Sequence, residues 1–185
     1  MSFPEVRIWL NRADCERYFA RMLRKARHSD AEQIIALIGS IYQEYGERIM
    51  LGDADKDLTD IEANYPDVGG DFVVWEVDGQ IVGTHAILPG ESQAAYTRRF
   101  YLAPAWRGSG IADQLMDWAV EWAVQNGFVR VELWTDTRFE RSHSYYTKRG
   151  FRRTGGERQM VDGFEPYREW HMSLDLKANR EHSTD

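Results

Sequence analysis

The residues with the clearest capacity for chemistry form a turn between a predicted strand and a predicted helix, Trp106-Arg107-Gly108-Ser109-Gly110-Ile111-Ala112. Gly108 and Gly110 permit a tight turn that brings several backbone N–H groups toward one point. The start of the helix adds a partial positive charge at the same place. Such a turn is suited to bind an anion, above all a pyrophosphate. The alternative is that the glycines only meet the steric requirements of a turn between a strand and a helix.

A tyrosine near the end of a later predicted helix is the second candidate, in the stretch Tyr146-Thr147-Lys148-Arg149-Gly150-Phe151. A phenol can donate a proton to a leaving group that lies within hydrogen-bond reach. The alternative is an aromatic residue that packs in the core and has a satisfied hydroxyl.

Hydrophobic spacing and turn residues predict the elements that must position these two motifs. Strands are predicted at 22–26, 72–77, 80–87, 94–102, 128–134, from residue 151 onward and at 168–176. Asp78-Gly79 is suited to the turn of a hairpin. Helices are predicted after Asp30, from Ile111 to a stop at Gly127, and at 141–149. This order predicts an α+β fold with one parallel crossover, from 94–102 through the long helix to 128–134.

Composition and charge narrow the function classes. The 185 residues carry 23 lysines and arginines against 30 aspartates and glutamates, a net charge of -7 that gives no basic footprint for nucleic acid or anionic lipid. No apolar run is long enough for a membrane span or a signal peptide. The single cysteine, Cys15, excludes an intramolecular disulfide and points to a reducing cytoplasm, and the histidines lack metal-ligand spacing, so no metal is predicted.

At these motifs the sequence resembles the GNAT superfamily of acyl-CoA-dependent N-acetyltransferases. The Arg/Gln-x-x-Gly-x-Gly/Ala signature is matched from Arg107 to Ala112, after a strand that ends in Leu102-Ala103-Pro104. The Tyr-x-x-x-Gly-Phe signature is matched from Tyr146 to Phe151, and its spacing favours Tyr146 over Tyr145. The resemblance implies a mixed, mostly antiparallel central sheet with a splayed parallel strand pair, flanked by helices.

The resemblance also implies roles for individual residues. The backbone of Gly108, Ser109, Gly110, Ile111 and Ala112 would bind the pyrophosphate of acetyl-CoA, with Arg107 shaping the turn or facing the phosphates. The strand end at Phe100, Tyr101 and Leu102 would pair with the pantetheine amides. Tyr146 would be the general acid, and acetyl transfer would go directly to a primary amine without an acyl-enzyme.

The sequence leaves the general base open. Many relatives place a glutamate on the strand before the phosphate turn, and here that strand carries no carboxylate. The candidates are Asp136, Glu132, His85 and an ordered water. Asp136 is our first choice among the side chains, with a cap or turn residue as its alternative role.

The expected activity is acetyl transfer from acetyl-CoA to a small cationic or amino-bearing acceptor. The alternatives are a protein N-terminus or lysine as acceptor, and a non-catalytic acyl-CoA sensor. The stretch from Asp53 to Asp71 contains seven acidic residues and a single cation, Lys56. This composition predicts either a solvated loop or an acidic rim that attracts a cation. Residues 1–19 are expected to form an N-terminal extension, 20–176 the catalytic domain and 177–185 a frayed tail, and the resemblance implies a homodimer as one candidate assembly.

Overall fold

The computed structural model describes residues 22–176, so the expectations for 1–19 and 177–185 lie outside the described residues. Within this range seven strands form one sheet in the order β1-β2-β3-β4-β5-β7-β6. The strands are β1 (Leu23–Lys25), β2 (Asp71–Val77), β3 (Gln80–Pro89), β4 (Ala94–Leu102), β5 (Arg130–Asp136), β6 (Arg152–Met160) and β7 (Tyr167–Asp175). The α-helices are α1 (Ala31–Tyr42), α2 (Ile61–Asn64), α3 (Ile111–Gln125) and α4 (Glu140–Lys148).

The strand pairs are antiparallel except for β4 and β5, which run parallel and are joined through α3. This confirms the expected mixed, mostly antiparallel sheet. The hairpin between β2 and β3 turns at Asp78 and Gly79, whose φ angles are 50° and 79°, as the sequence predicted.

Successive side chains along β2 point to opposite faces of the sheet. Both faces therefore present apolar residues, and helices cover both. Phe72 and Val74 pack with the buried isoleucines of α1, whereas Val73 and Trp75 pack with Ile111 and Leu115 of α3. A further cluster joins α3 to β5 and α4 and contains Met116, Ala119, Leu133, Tyr146 and Phe151. The sheet is therefore held between two helical layers.

Strand β5 begins two residues later than the sequence predicted. The Phe128 N–H donates to the Ala123 carbonyl at 2.9 Å, and its ring stacks on Trp122 with centroids 5.6 Å apart. Phe128 therefore closes the end of α3 and does not enter the ladder. The apolar character of Phe128 reflects packing against the helix.

The parallel pairing of β4 and β5 is short. It joins Ala94 to Arg130, Ala95 to Val131 and Tyr96 to Glu132, and no pairing of the two strands follows in the described chain. Strand β4 also changes register against β3 around Arg99, which has a φ of 53°. This β-bulge bends β4 where it leaves β5, so the two strand ends diverge.

A buried ion-pair cluster holds the bulge. The Arg99 guanidinium donates to Asp55 at 2.7 Å and to Asp57 through Nε at 2.9 Å, and its side chain is 5% exposed. The Ala54 carbonyl accepts a further hydrogen bond at 3.0 Å, and the Tyr65 hydroxyl donates to Asp57. Asp55 and Asp57 therefore point inward and do not belong to an acidic rim. The expectation of a solvated loop or an acidic rim was wrong for these two residues, because Arg99 on β4 binds both carboxylates.

We predict that Arg99→Gln destabilises the fold by about 3–5 kcal/mol, since it leaves two carboxylates without their buried cation. Urea unfolding of the variant and the parent measures the difference. Arg152→Gln, at an exposed position on β6, is the matched control and should change stability by less than about 0.5 kcal/mol. A loss below about 1 kcal/mol for Arg99→Gln would show that the cluster does not hold the bulge.

Candidate active site

A cleft of about 440 Å³ opens where β4 and β5 diverge. Its strand walls are the end of β4 from Thr97 to Leu102 and the end of β5 from Leu133 to Asp136. The turn before α3 and one side of α4 border one end. The loop between β6 and β7 borders the other end through Gly163. The segment that follows α1 runs along the cleft between the two ends and contributes Tyr45, Glu47 and Arg48.

The glycine turn lies at the first of these ends. Gly108 and Gly110 have φ angles of 79° and 87°, in the left-handed region that favours glycine, and Gly110 is the N-cap of α3. A Cβ at either position would meet no atom within 4 Å, so the space beside the turn is open. Gly108 and Ala112 line the cleft, whereas Ser109, Gly110 and Ile111 shape the turn beside it.

Arg107 braces the turn. Its guanidinium donates two hydrogen bonds to Glu44, at 2.8 and 2.7 Å, and these bonds hold the pKa of Glu44 below its usual range. Of the two roles that the resemblance left open for Arg107, this bidentate contact supports shaping of the turn. The contact ties the glycine turn to the segment that follows α1.

Phe100, Tyr101 and Leu102, the β4 residues expected to pair with the pantetheine amides, all line the cleft. Phe100 packs its ring against Tyr145 and Tyr146, at centroid distances of 5.4 and 6.1 Å. The Tyr101 hydroxyl donates to that of Tyr42 at 3.2 Å, and Leu102 lies next to the turn. Because β5 has separated from this part of β4, its backbone edge on that side carries no strand partner in the described chain.

Tyr146 lies in the cleft with an unused hydroxyl. Its side chain is buried between Phe100 and Phe151, and within residues 22–176 its hydroxyl makes no hydrogen bond. Burial raises the pKa of Tyr146 well above its ordinary value, so the phenol keeps its proton at neutral pH. The Tyr145 hydroxyl, in contrast, already donates to the Ala112 carbonyl at 2.8 Å.

Asp136 lines the cleft, but both of its carboxylate oxygens are engaged. Arg138 donates to them from Nε at 3.0 Å and from Nη2 at 2.5 Å, and its backbone N–H adds a bond at 2.8 Å. Nη2 of Arg138 also donates to Glu47 at 3.0 Å. The carboxylate thus holds Arg138 in place, which disfavours Asp136 as the group that removes a proton from an amine.

The other two side chains considered as bases are not among the residues that line the cleft. Glu132 accepts a hydrogen bond from Arg130 at 2.6 Å. His85 is completely buried, with Nδ1 2.9 Å from the Leu115 carbonyl oxygen and Nε2 in contact with the Thr97 hydroxyl. Burial lowers the pKa of His85 to about 4, so the ring is neutral in a packed environment.

Glu169 is a cleft carboxylate that sequence reasoning missed. It lies on β7 directly opposite Asp136 on β5 and accepts a hydrogen bond from Arg158 Nε at 2.6 Å. Burial raises its pKa above the ordinary value for a glutamate, against the opposing effect of Arg158. A carboxylate with a raised pKa inside a cleft is suited to accept a proton.

The family model described as the acetyltransferase (GNAT) family matches residues 31–151 of this chain. The uncharacterized N-acetyltransferase YjgM of Escherichia coli K12 is 30% identical over 135 residues, which cover 70% of this chain and 81% of that protein. This chain belongs to the GNAT acetyltransferase family. Several other curated N-acetyltransferases match over about half of their own length.

Solved structures agree with the GNAT fold. A GNAT-family acetyltransferase from Staphylococcus aureus Mu50 superposes with a TM-score of 0.71 at 23% identity, over 83% of this chain and 98% of that one. An acetyltransferase from Salmonella typhimurium, solved with its cofactor acetyl-CoA, gives a TM-score of 0.64 at 20% identity, over 83% and 92%. The GNAT chain is thus an acetyl-CoA-dependent N-acetyltransferase by family.

The cleft of this GNAT enzyme fits acetyl-CoA on its own features. The open space beside Gly108 can admit phosphate groups to backbone N–H groups at the start of α3. The exposed cations Arg141 and Lys148 line the same end.

Among residues 22–176 no three histidine, cysteine, aspartate or glutamate side chains are grouped to hold a metal ion, and no helix there could cross a membrane.

The buried His85 generates a pH prediction. Its pKa is about 4 in the folded chain and 6.5 in the unfolded chain, so the unfolded state binds more protons between these values. Stability should therefore fall as the pH drops, by roughly 2 kcal/mol between about pH 7 and about pH 5. Urea unfolding at both pH values measures this loss, and His85→Gln should remove most of it. An unchanged pH dependence in the variant would contradict the burial of a neutral imidazole.

Proposed function

We propose that this GNAT enzyme acetylates the primary amine of a small molecule by direct transfer from acetyl-CoA. One observation carries the proposal: the open edge of β4, the glycine turn and the unbonded hydroxyl of Tyr146 all border one cleft. Binding of the thioester and proton donation to its leaving group need these parts in one place.

The proposed cofactor placement follows the cleft from end to end. Backbone N–H groups from Gly108 to Ala112 bind the pyrophosphate, where the dipole of α3 favours negative charge. The free backbone edge at Phe100, Tyr101 and Leu102 hydrogen-bonds the pantetheine amides, as an added strand would. The acetyl-CoA thioester supplies the acyl group.

Tyr146 supplies the proton in the proposed reaction. The amine nitrogen forms a bond to the acetyl carbon, the carbon–sulfur bond breaks, and the phenol of Tyr146 protonates the departing sulfur. The raised pKa of Tyr146 keeps that proton available at neutral pH. No acyl-enzyme is needed, so the site requires no nucleophilic side chain.

Glu169 accepts the amine proton in this proposal, directly or through a water. An alkylammonium has a pKa of about 10.4, so a proton must leave before attack. Among the carboxylates at the cleft, Glu169 combines a raised pKa with a single hydrogen-bonded partner within residues 22–176, Arg158. Asp136 then acts as the residue that positions Arg138.

The far end of the cleft supports a small acceptor over a protein. Phe164 in the β6–β7 loop donates its N–H to Glu47 at 2.9 Å, and Arg48 lies 3.4 Å over the Phe164 ring. These contacts join two loops beside the acceptor end and leave less room for an extended peptide. A cytoplasmic location and a homodimer, as the single cysteine and the family resemblance favour, are part of the same proposal.

A non-catalytic acyl-CoA sensor is the second candidate. Such a protein needs the glycine turn but gains nothing from a buried phenol with a free hydroxyl. Release of free CoA thiol in the presence of an amine panel separates the two, because a sensor binds acetyl-CoA without turnover.

The glycine turn yields the first functional prediction. Gly110→Glu should abolish measurable acetyl-CoA binding in calorimetry, since it adds a carboxylate beside the phosphate site. Gly110→Ala carries the same backbone strain at φ 87° without the charge, and it is the matched control. Equal affinity in Gly110→Glu and the control would show that phosphates do not bind at this turn.

The phenol of Tyr146 yields the second functional prediction. Tyr146→Phe should lower kcat by about 100-fold or more and leave the KM for acetyl-CoA within a few-fold, since only proton donation is lost. Tyr145→Phe loses the hydrogen bond to Ala112 and should raise that KM more than it lowers kcat. Steady-state thiol release measures both. Full kcat in Tyr146→Phe would remove Tyr146 from the proposed chemistry.

A further inference from the structure

Arg98 is a cation of the cleft that has no hydrogen-bonded partner in the described part of the chain. It lies on β4 just before the bulge, lines the cleft and is partly buried. Within residues 22–176 its guanidinium makes no hydrogen bond and no ion pair. Asp57 lies near enough to be affected electrostatically by Arg98, but its oxygens accept from Arg99 and Tyr65.

The carboxylates that line the cleft are all engaged by other arginines. Arg138 binds Glu47 and Asp136, Arg99 binds Asp55, and Arg158 binds Glu169. A second ammonium group on an acceptor would therefore have to displace an arginine from a carboxylate. An anionic group would instead meet the unused donors of Arg98.

The position of Arg98 separates it from the phosphate turn. Arg98 lies four residues before the end of β4 at Leu102, a rise of about 13 Å, and the turn begins beyond that point. Arg107, Arg141 and Lys148 line the cleft at the turn and α4, where phosphates are expected. Arg98 thus faces the part of the cleft left to the acceptor.

We propose that Arg98 binds a carboxylate of the acceptor, so that the substrate is an amino acid or a similar amine that also carries an acid. This inference rests on the proposed function and narrows the acceptor class from amines in general. A planar guanidinium presents paired donors that match a carboxylate in a bidentate contact.

The amine of the same molecule then lies toward Glu169. Arg98 and Glu169 line the same cleft, and Arg98 acts on Glu169 electrostatically, so the proposal places one small zwitterion between the two groups. Its carboxylate accepts from Arg98 while its ammonium faces the carboxylate that takes up the proton. The amine, once neutral, attacks the thioester carbon as in the proposed reaction. A polyamine lacks the group that Arg98 binds.

The test compares acceptors matched in their amine but different in their acid: alanine with alaninamide, aspartate with asparagine and with β-alanine, and putrescine and spermidine as polyamines. Thiol release gives kcat/KM for each, and titration of the CoA-saturated protein gives the affinity for each acid. The variants are Arg98→Gln, which removes the charge, Arg98→Lys, which keeps it, and the exposed control Arg152→Gln.

We expect the enzyme to prefer an acid over its amide, and Arg98→Gln to lower kcat/KM for that acid by about 10- to 100-fold. Arg98→Lys should recover part of the loss, and the KM for acetyl-CoA should stay unchanged in all three variants. A preference for polyamines, an unchanged acid preference in Arg98→Gln, or no acid binding to the CoA-saturated protein would overturn the inference. Failure of the parent protein to bind acetyl-CoA would instead contradict the proposed function.

Discussion

The divergence of β4 from β5 is the constraint on which the rest of the site depends. Parallel strands normally continue their ladder, but in this sheet pairing ends after Tyr96 and Glu132. The bulge at Arg99 turns β4 away, and the buried pairs with Asp55 and Asp57 hold that conformation. The unpaired edge that results is what a cofactor with amide groups can use.

The same ion-pair cluster connects stability to the site. Arg99 ties β4 to the segment between α1 and α2, and Arg107 ties the glycine turn to Glu44 after α1. Two arginines thus fix the same part of the chain against both ends of the cleft. Because each is paired, neither is free for ligand recognition, and that role falls to Arg98 and to backbone groups.

Local sequence signals were sufficient for the parts of the fold that local chemistry decides. The hairpin at Asp78-Gly79 and the glycine turn before α3 could be predicted because their backbone angles demand particular residues. The partners of Arg99 could not, since Asp55 and Asp57 are more than 40 residues away and resemble a solvated run of charges. Glu169 was missed because its approach to the cleft depends on β7 pairing with β5, which no local pattern specifies.

Amide hydrogen exchange with and without saturating CoA tests most directly whether the cofactor pairs with the free edge of β4. If it does, peptides covering residues 97–102 and 108–112 should gain protection, while β2 and β3, which already have partners on both sides, should not change. Protection confined to other parts of the chain, or none despite measured binding, would contradict the pairing of the cofactor with β4 and the glycine turn.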